Sequence, residues 1–102
     1  MKQLRRNRDT ATLNVENTIG ERFSMVESYR SRYGTIRVRI VDPGFERKSR
    51  VQRERMVLPL IRSLPGEVQA DMVMLLLLAP GEGEDCLQNL EFEHPERKLG
   101  AK

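Results

Sequence analysis

Hydrophobic and polar residues alternate most regularly between Gly34 and Asp42. In an extended chain, the apolar side chains of this segment share one face and two arginines occupy the other, which predicts a half-buried β-strand. The segment from Phe23 to Tyr29 alternates less regularly, and residues 30–33 between the two segments are few enough to close an antiparallel hairpin. The apolar set of the second strand is Ile36, Val38 and Ile40, and the polar set is Arg37 and Arg39.

A different pattern begins at about Lys48. Apolar residues mix with arginines so that one side of a helix is apolar and the other is cationic, and Ser49 is suited to the N-cap. Pro59 lacks the amide that a continuing helix needs, so we expect a kink or two short helices. We expect Asp42-Pro43-Gly44 to end the preceding strand and Pro65-Gly66 to end the helical stretch.

The segment from Val68 to Ala79 is apolar at most positions, which predicts a third strand that is central in the sheet or covered on both faces. This strand needs a cover from the C-terminal segment or from another chain. The first 22 residues show neither a helical nor a strand period.

These elements predict an α+β fold with a three-stranded mixed sheet. An antiparallel hairpin is joined by a helical crossover to a parallel third strand, and the helices lie on one face of the sheet. The chain then divides into a basic N-terminal arm or weak first helix at 1–22, a core domain at 23–83 and an acidic C-terminal extension at 84–102.

Length and composition restrict the class of protein. The chain has 102 residues, 38% of them hydrophobic and 32% charged, which is sufficient for one domain but not for a large enzyme fold. The longest apolar run, 72–79, is far shorter than the roughly 20 residues of a membrane-spanning helix. Cys86 is the only cysteine, so an intrachain disulfide is excluded. We therefore expect a soluble, cytoplasmic protein.

Charge is unevenly distributed along the chain. Segment 43–62 has six basic residues against two acidic ones, or +4, whereas segment 81–102 has three against six, or −3. Several phosphates could be neutralised by the basic face of the predicted helix, although an ordinary solvated helix face would have the same composition. The strand arginines Arg37 and Arg39 could extend this surface if they face the same side. The predicted binding residues are Arg47, Lys48, Arg50, Arg53, Arg55 and Arg62.

Three pieces of the chain follow one another in an order known from a protein family. They are Val41-Asp42-Pro43-Gly44-Phe45-Glu46-Arg47-Lys48-Ser49, Arg53-Glu54-Arg55-Met56-Val57, and the two ends of the third predicted strand at 66–70 and 79–82. In order and spacing, this arrangement resembles the core of BolA-like proteins over about half of the chain. The resemblance implies a helix, a hairpin, two helices and a strand, related to the type II KH arrangement.

The resemblance also bears on cofactors. In BolA-like proteins a histidine of the helix motif, together with a Cys or His of the hairpin loop, is tied to a [2Fe-2S] cluster shared with a monothiol glutaredoxin. Glu54 stands at the histidine position here, and loop 29–33 has neither Cys nor His. A carboxylate is a poor substitute for these soft donors, so we expect no cluster and no other cofactor. Arg47 replaces the family's glycine, so we expect a different backbone path there.

Other candidate chemistry is weaker. Segment 29–33 interleaves two tyrosines with arginines, as stacking platforms for single-stranded nucleic acid do, although a hairpin turn has the same composition. The Gly-x-x-Gly clamp of a KH module is absent from the sequence. Cys86 and His94 are the only soft metal donors and have no recognised spacing, so we predict no metal site. Without a nucleophile beside a base, we expect a protein that is not an enzyme.

These observations favour a regulatory binding module whose basic helix docks an acidic partner, nucleic acid first. One alternative is an adaptor that binds a monothiol glutaredoxin, as the resemblance implies. Another is a diverged structural module that forms a homodimer through the third strand or the C-terminal extension.

Overall fold

The computed structural model describes residues 8–83 and 86–94. In those two ranges no helix is both long enough and apolar enough to cross a membrane. A short 3₁₀ turn, Pro43–Phe45, precedes the second helix. The elements in chain order are α1 (Thr10–Ile19), β1 (Met25–Arg30), β2 (Ile36–Val41), α2 (Arg50–Arg62), α3 (Gly66–Asp71), β3 (Met72–Leu78) and α4 (Leu87–Glu93).

The three strands form one mixed sheet in the order β1-β2-β3. β1 and β2 are antiparallel, with Met25 opposite Val41, and β2 and β3 are parallel, with Val38 opposite Leu75. The register between β2 and β3 shifts by one residue at their first pair, because Ile36 lies opposite Met72 and Arg37 lies opposite Met74. The predicted α+β class and the mixed three-stranded sheet are confirmed.

The main core lies between the sheet and helices α1 to α3. The alternating apolar residues of β2, which the sequence identified, are fully buried here, together with Phe45 and Val57. Phe45 stacks on Phe23 with ring centroids 5.4 Å apart, which attaches the 3₁₀ turn to the segment between α1 and β1. The start of α2 is thereby held against the sheet.

α1 lies within segment 1–22, which the sequence analysis assigned either to an arm or to a weak first helix. Asp9 caps it, because its side chain accepts a hydrogen bond from the Thr12 amide and its own amide donates to the Thr12 hydroxyl. Val15 and Ile19 are fully buried. Their apolar stripe is only one residue wide, which explains why no helical period was detected. Residues 1–7 lie outside the described residues.

Pro59 does not divide α2 into the two short helices that the sequence left open beside a kink. The helix is continuous from Arg50 to Arg62, and Pro59 lies on its exposed side. Water can reach the carbonyl that loses its partner there, so the missing bond costs less than it would in a buried turn.

The third strand is shorter than the predicted span from Val68 to Ala79. Residues 66–71 form α3, and β3 begins at Met72. At the start of α3, the Pro65 carbonyl accepts hydrogen bonds from the Val68 and Gln69 amides. The Gln69 side chain also donates to the Leu64 carbonyl at 2.7 Å. These local bonds favour a helical turn where apolar content alone favoured a strand.

The expectation that all helices lie on one face is wrong, because α4 packs on the opposite face of the sheet. Phe92 is fully buried there, and its carbonyl accepts a hydrogen bond from the Tyr29 hydroxyl at 2.7 Å. Leu76 and Leu78 complete this second cluster. The C-terminal segment thus supplies the cover that the sequence required for the third strand.

Candidate functional site

The approach to α2 is a tight loop that places cations just before the first helical turn. Ser49 is the N-cap: its hydroxyl accepts a hydrogen bond from the Gln52 amide at 3.1 Å, and the Gln52 side chain accepts one from the Ser49 amide at 2.7 Å. Arg47 has a φ of 63°, the left-handed region that favours glycine. The backbone therefore adopts a glycine-like conformation at this position although glycine is absent. Both Arg47 and Lys48 are exposed.

The outward side of α2 carries a second group of cations. Arg55 and Arg62 are exposed and share a stripe with Val51 and Leu58, since positions separated by three, four and seven residues lie on one side of a helix. At 1.5 Å per residue, the backbones of the two arginines are about 10 Å apart along the helix axis. The predicted basic face is thus divided into two groups of cations, one at the approach to α2 and one on its outward side.

Arg50 joins the first group. Its side chain is 70% exposed, and its Nε lies 3.3 Å from a Glu54 carboxylate oxygen one turn later. An exposed pair of this kind contributes well under 1 kcal/mol to stability, so a stronger anionic ligand can replace Glu54.

Arg53 is placed differently from the other predicted binding residues. Its side chain is only 12% exposed, and two of its nitrogens donate to the Glu82 carboxylate at 2.7 and 2.9 Å. It also donates to the Leu77 carbonyl at 3.0 Å and to the Lys48 carbonyl at 3.1 Å. Arg53 therefore connects α2 to the end of β3, and its charge is neutralised by Glu82.

This ion pair shifts the pKa of both groups. The hydrogen bonds from Arg53, supported by one from the Ala79 amide, lower the pKa of Glu82 from 4.5 to about 2. The same hydrogen bonds raise the pKa of Arg53. Both groups stay charged throughout the physiological range.

Arg37 and Arg39 do not extend the α2 surface. They lie on the sheet face under α4, where Arg39 pairs with Glu27 and with Glu93 and its guanidinium lies 4.7 Å from the Phe92 ring centroid. Arg37 lies 3.9 Å from Glu91. The two arginines fasten the C-terminal helix to the sheet.

The aromatic and cationic hairpin segment does not form a platform of two tyrosines. Tyr29 is buried under α4, whereas Tyr33 is 75% exposed at the hairpin with Arg32 lying 5.2 Å from its ring centroid. A single exposed ring remains for stacking.

The residues relevant to a metal or cluster are also separated. The Glu54 carboxylate faces Arg50, and within residues 8–83 and 86–94 no three His, Cys, Asp or Glu side chains converge as a metal-binding group. Cys86 is half-buried beside the second cluster, and His94 follows the end of α4.

Sequence reasoning missed a groove along the outer edge of β3. A cavity of about 290 Å³ and another of about 300 Å³ lie along this edge, and both are lined by Arg50, Leu75 and Gln88. α2 forms one wall and α4 the other. No sequence signal indicated it, because the position of α4 depends on contacts between residues 50 or more positions apart, such as Arg39 with Asn89 or Glu93.

No protein-family model, no curated protein and no solved structure matches the chain.

Proposed function

We propose that the protein is a non-catalytic binding module whose helix α2 holds a polyanion, with nucleic acid as the principal ligand. The observation that carries the proposal is the selective pairing of its cations. Among the described residues, four of the six predicted binding cations have no ion-pair partner, whereas the arginines of the sheet are paired. The unpaired four are Arg47, Lys48, Arg55 and Arg62.

The chemistry of these side chains suits phosphate. Guanidinium groups donate two parallel hydrogen bonds to a phosphate, and the first turn of α2 holds no acidic residue to oppose an anion near Lys48 and Arg50. Contacts of this kind go to the backbone of the nucleic acid, so affinity should depend strongly on salt and weakly on base sequence.

The test is fluorescence anisotropy with labelled duplex DNA, single-stranded DNA and RNA in a series of salt concentrations. Each phosphate contact to duplex DNA contributes about −0.9 to the slope of log affinity against log salt. Contacts by the four unpaired cations and by Arg50, which is also exposed, would together give a slope of about −4.5. Replacing both outward arginines, Arg55→Ala with Arg62→Ala, should weaken binding and reduce the magnitude of the slope by about 2.

A matched pair of single variants separates a located site from general attraction. Arg55→Ala and Arg32→Ala each remove one exposed charge, one from α2 and one from the hairpin. Only the α2 variant should reduce the slope by about 1. Absence of binding at low salt, or equal loss in the two variants, would contradict the proposal.

A second candidate is an adaptor for a monothiol glutaredoxin. It is favoured by the order of the elements, because α1, β1, β2, α2, α3 and β3 follow the sequence of helix, hairpin, two helices and strand that the BolA-like resemblance implies. Mixing the protein with a monothiol glutaredoxin and measuring the mass of the eluting species by light scattering tests it. A 1:1 species supports this candidate, and two separate peaks contradict it.

A further inference from the structure

β3 lies at the edge of the sheet, and this edge forms the floor of the groove between α2 and α4. Among the described residues β3 pairs only with β2. Val73, near the start of the strand, is 60% exposed. The edge is therefore accessible from solvent yet recessed between two helices.

Hydrogen bonds show which main-chain groups point into the groove. The Leu78 carbonyl accepts from the Asp42 amide at 3.0 Å on the β2 side, whereas the Leu77 carbonyl accepts from Arg53 on the opposite side. Because main-chain direction alternates along a strand, the amide and carbonyl of Leu75 also point into the groove. Arg53 and Glu82 close the end of the edge at Leu77, which leaves about four residues open for pairing.

We propose that this groove binds an extended peptide segment with acidic side chains, which adds to β3 as a fourth strand. The main-chain groups of β3 would supply the hydrogen bonds, as in other cases of strand addition. Lys48 and Arg50 line the α2 wall and attract carboxylates, since Lys48 has no ion pair within the described residues and the partner of Arg50 is exposed. The site shares Lys48 and Arg50 with the proposed polyanion surface but recognises a different class of ligand.

The groove also defines which side chains the segment should carry. Odd-numbered residues of β3 from Leu75 face α2, and even-numbered ones such as Leu76 face α4. A paired strand alternates in the same way. Acidic residues should therefore point towards Lys48 and Arg50, and apolar residues towards the Leu76 side.

A second copy of the chain fits this edge poorly. In an antiparallel pair related by a two-fold axis across β3, each α2 would face the other α2, and the two Arg50 side chains would approach each other. A single extended segment avoids this approach of like charges.

A nucleic acid also fits the floor of the groove poorly. The edge presents carbonyl oxygens as well as amides, and a phosphate oxygen can only accept hydrogen bonds. A peptide backbone supplies both donors and acceptors.

The experiment uses a labelled, end-blocked hexapeptide of alternating glutamate and valine, titrated with the full chain. Two further peptides carry N-methyl groups on alternate amides, one on the odd and one on the even positions. Strand addition predicts that one of these loses about tenfold in affinity and that the other loses little, because only one set of amides faces β3. Equal affinities of the two methylated peptides would overturn the proposal.

Charge reversal tests the same site from the protein side. Arg50→Glu should weaken binding of the glutamate peptide about tenfold and restore binding of a lysine and valine peptide, whereas Arg55→Glu, on the outward side of α2, should change neither. Both side chains are exposed, so both variants should fold, which circular dichroism checks. Equal effects of the two reversals would contradict an edge site.

Two measurements separate this site from its alternatives. Light scattering at high protein concentration should give the monomer mass, and a dimer that dissociates when the peptide is added would show that a second copy occupies the edge, against the proposal. The Arg55→Ala, Arg62→Ala variant should keep full peptide affinity while binding nucleic acid more weakly. The failure of either site is thus visible without the failure of the other.

Discussion

Arg53 and Arg55 are two positions apart on α2, yet they have opposite environments. Successive helical residues are rotated by about 100°, so one faces the end of β3 and the other faces solvent. Arg53 finds Glu82 in the turn after β3, 29 positions later in the chain, while Arg55 has no ion-pair partner within the described residues. The local sequence Arg-Glu-Arg contains no information that separates the two.

The Glu82 carboxylate should make the free energy of unfolding depend on pH in the acidic range. Because its folded pKa, about 2, is below its ordinary value of 4.5, the Arg53 ion pair stabilises the fold fully above pH 4.5 and loses this effect as the pH falls towards 2. Glu82→Gln should lower the free energy of unfolding at pH 7 by about 1 kcal/mol and flatten its decline between pH 4.5 and 2. Urea denaturation at several pH values measures both effects, and an unaltered decline in the variant would show that the pair is not formed.

Arg47 combines an unfavourable backbone conformation with an exposed charge. A non-glycine residue at a φ of 63° costs energy that glycine avoids, so Arg47→Gly should raise the free energy of unfolding by about 0.5 to 1 kcal/mol. The same variant should reduce the magnitude of the salt slope for duplex DNA by about 1. A stability gain together with weaker binding would indicate that the arginine serves the ligand and not the fold. Loss of stability would contradict this interpretation.

At the scale of elements, α4 is the helix that sequence reasoning did not place. It has only seven residues, and its attachment depends on Phe92, on the Tyr29 hydroxyl and on the arginines of β2. It covers the second face of the sheet and forms one wall of the β3 groove. Two roles, protection of apolar surface and shaping of the groove, are therefore combined in one short segment.

Phe92→Ala should detach this helix. Removing a fully buried phenylalanine costs about 3 to 4 kcal/mol, and the amides of α4 should then exchange with solvent much faster than those of α2. Leu87→Ala is the matched control, because Leu87 lies on the same helix but is 70% exposed, and it should change stability by less than about 0.5 kcal/mol. Similar effects of the two substitutions would contradict the described packing.

The elements differ in how far they could be predicted. The alternation of β2 and the capped start of α2 are local signals, and both are found in the structure. α1 was left open because its stripe is narrow, and α3 was assigned to a strand because apolar content does not distinguish a short buried helix from a strand. The face covered by α4 depends on long-range contacts, which no local pattern contains.

At the scale of the whole molecule, the charge of +3 is small, and ion pairing determines which cations can meet a ligand. Clustering along the sequence indicated the α2 segment, where the exposed cations are Arg47, Lys48, Arg50, Arg55 and Arg62. The ion pair that removes Arg53 from this surface and the groove beside β3 become visible only in the folded structure. The candidate surface was therefore predictable in location but not in composition.

The most direct measurement is a titration of the ¹⁵N-labelled protein with single-stranded DNA at low ionic strength, followed by NMR. The account predicts that the shifting signals are the amides of 47–62 together with the side-chain Nε–H groups of Arg55 and Arg62, and that the Arg53 side-chain signal stays in place. Shifts confined to the hairpin or to α4 would contradict this prediction. It would also be contradicted if no signal shifted at a DNA concentration that saturates typical non-specific binders.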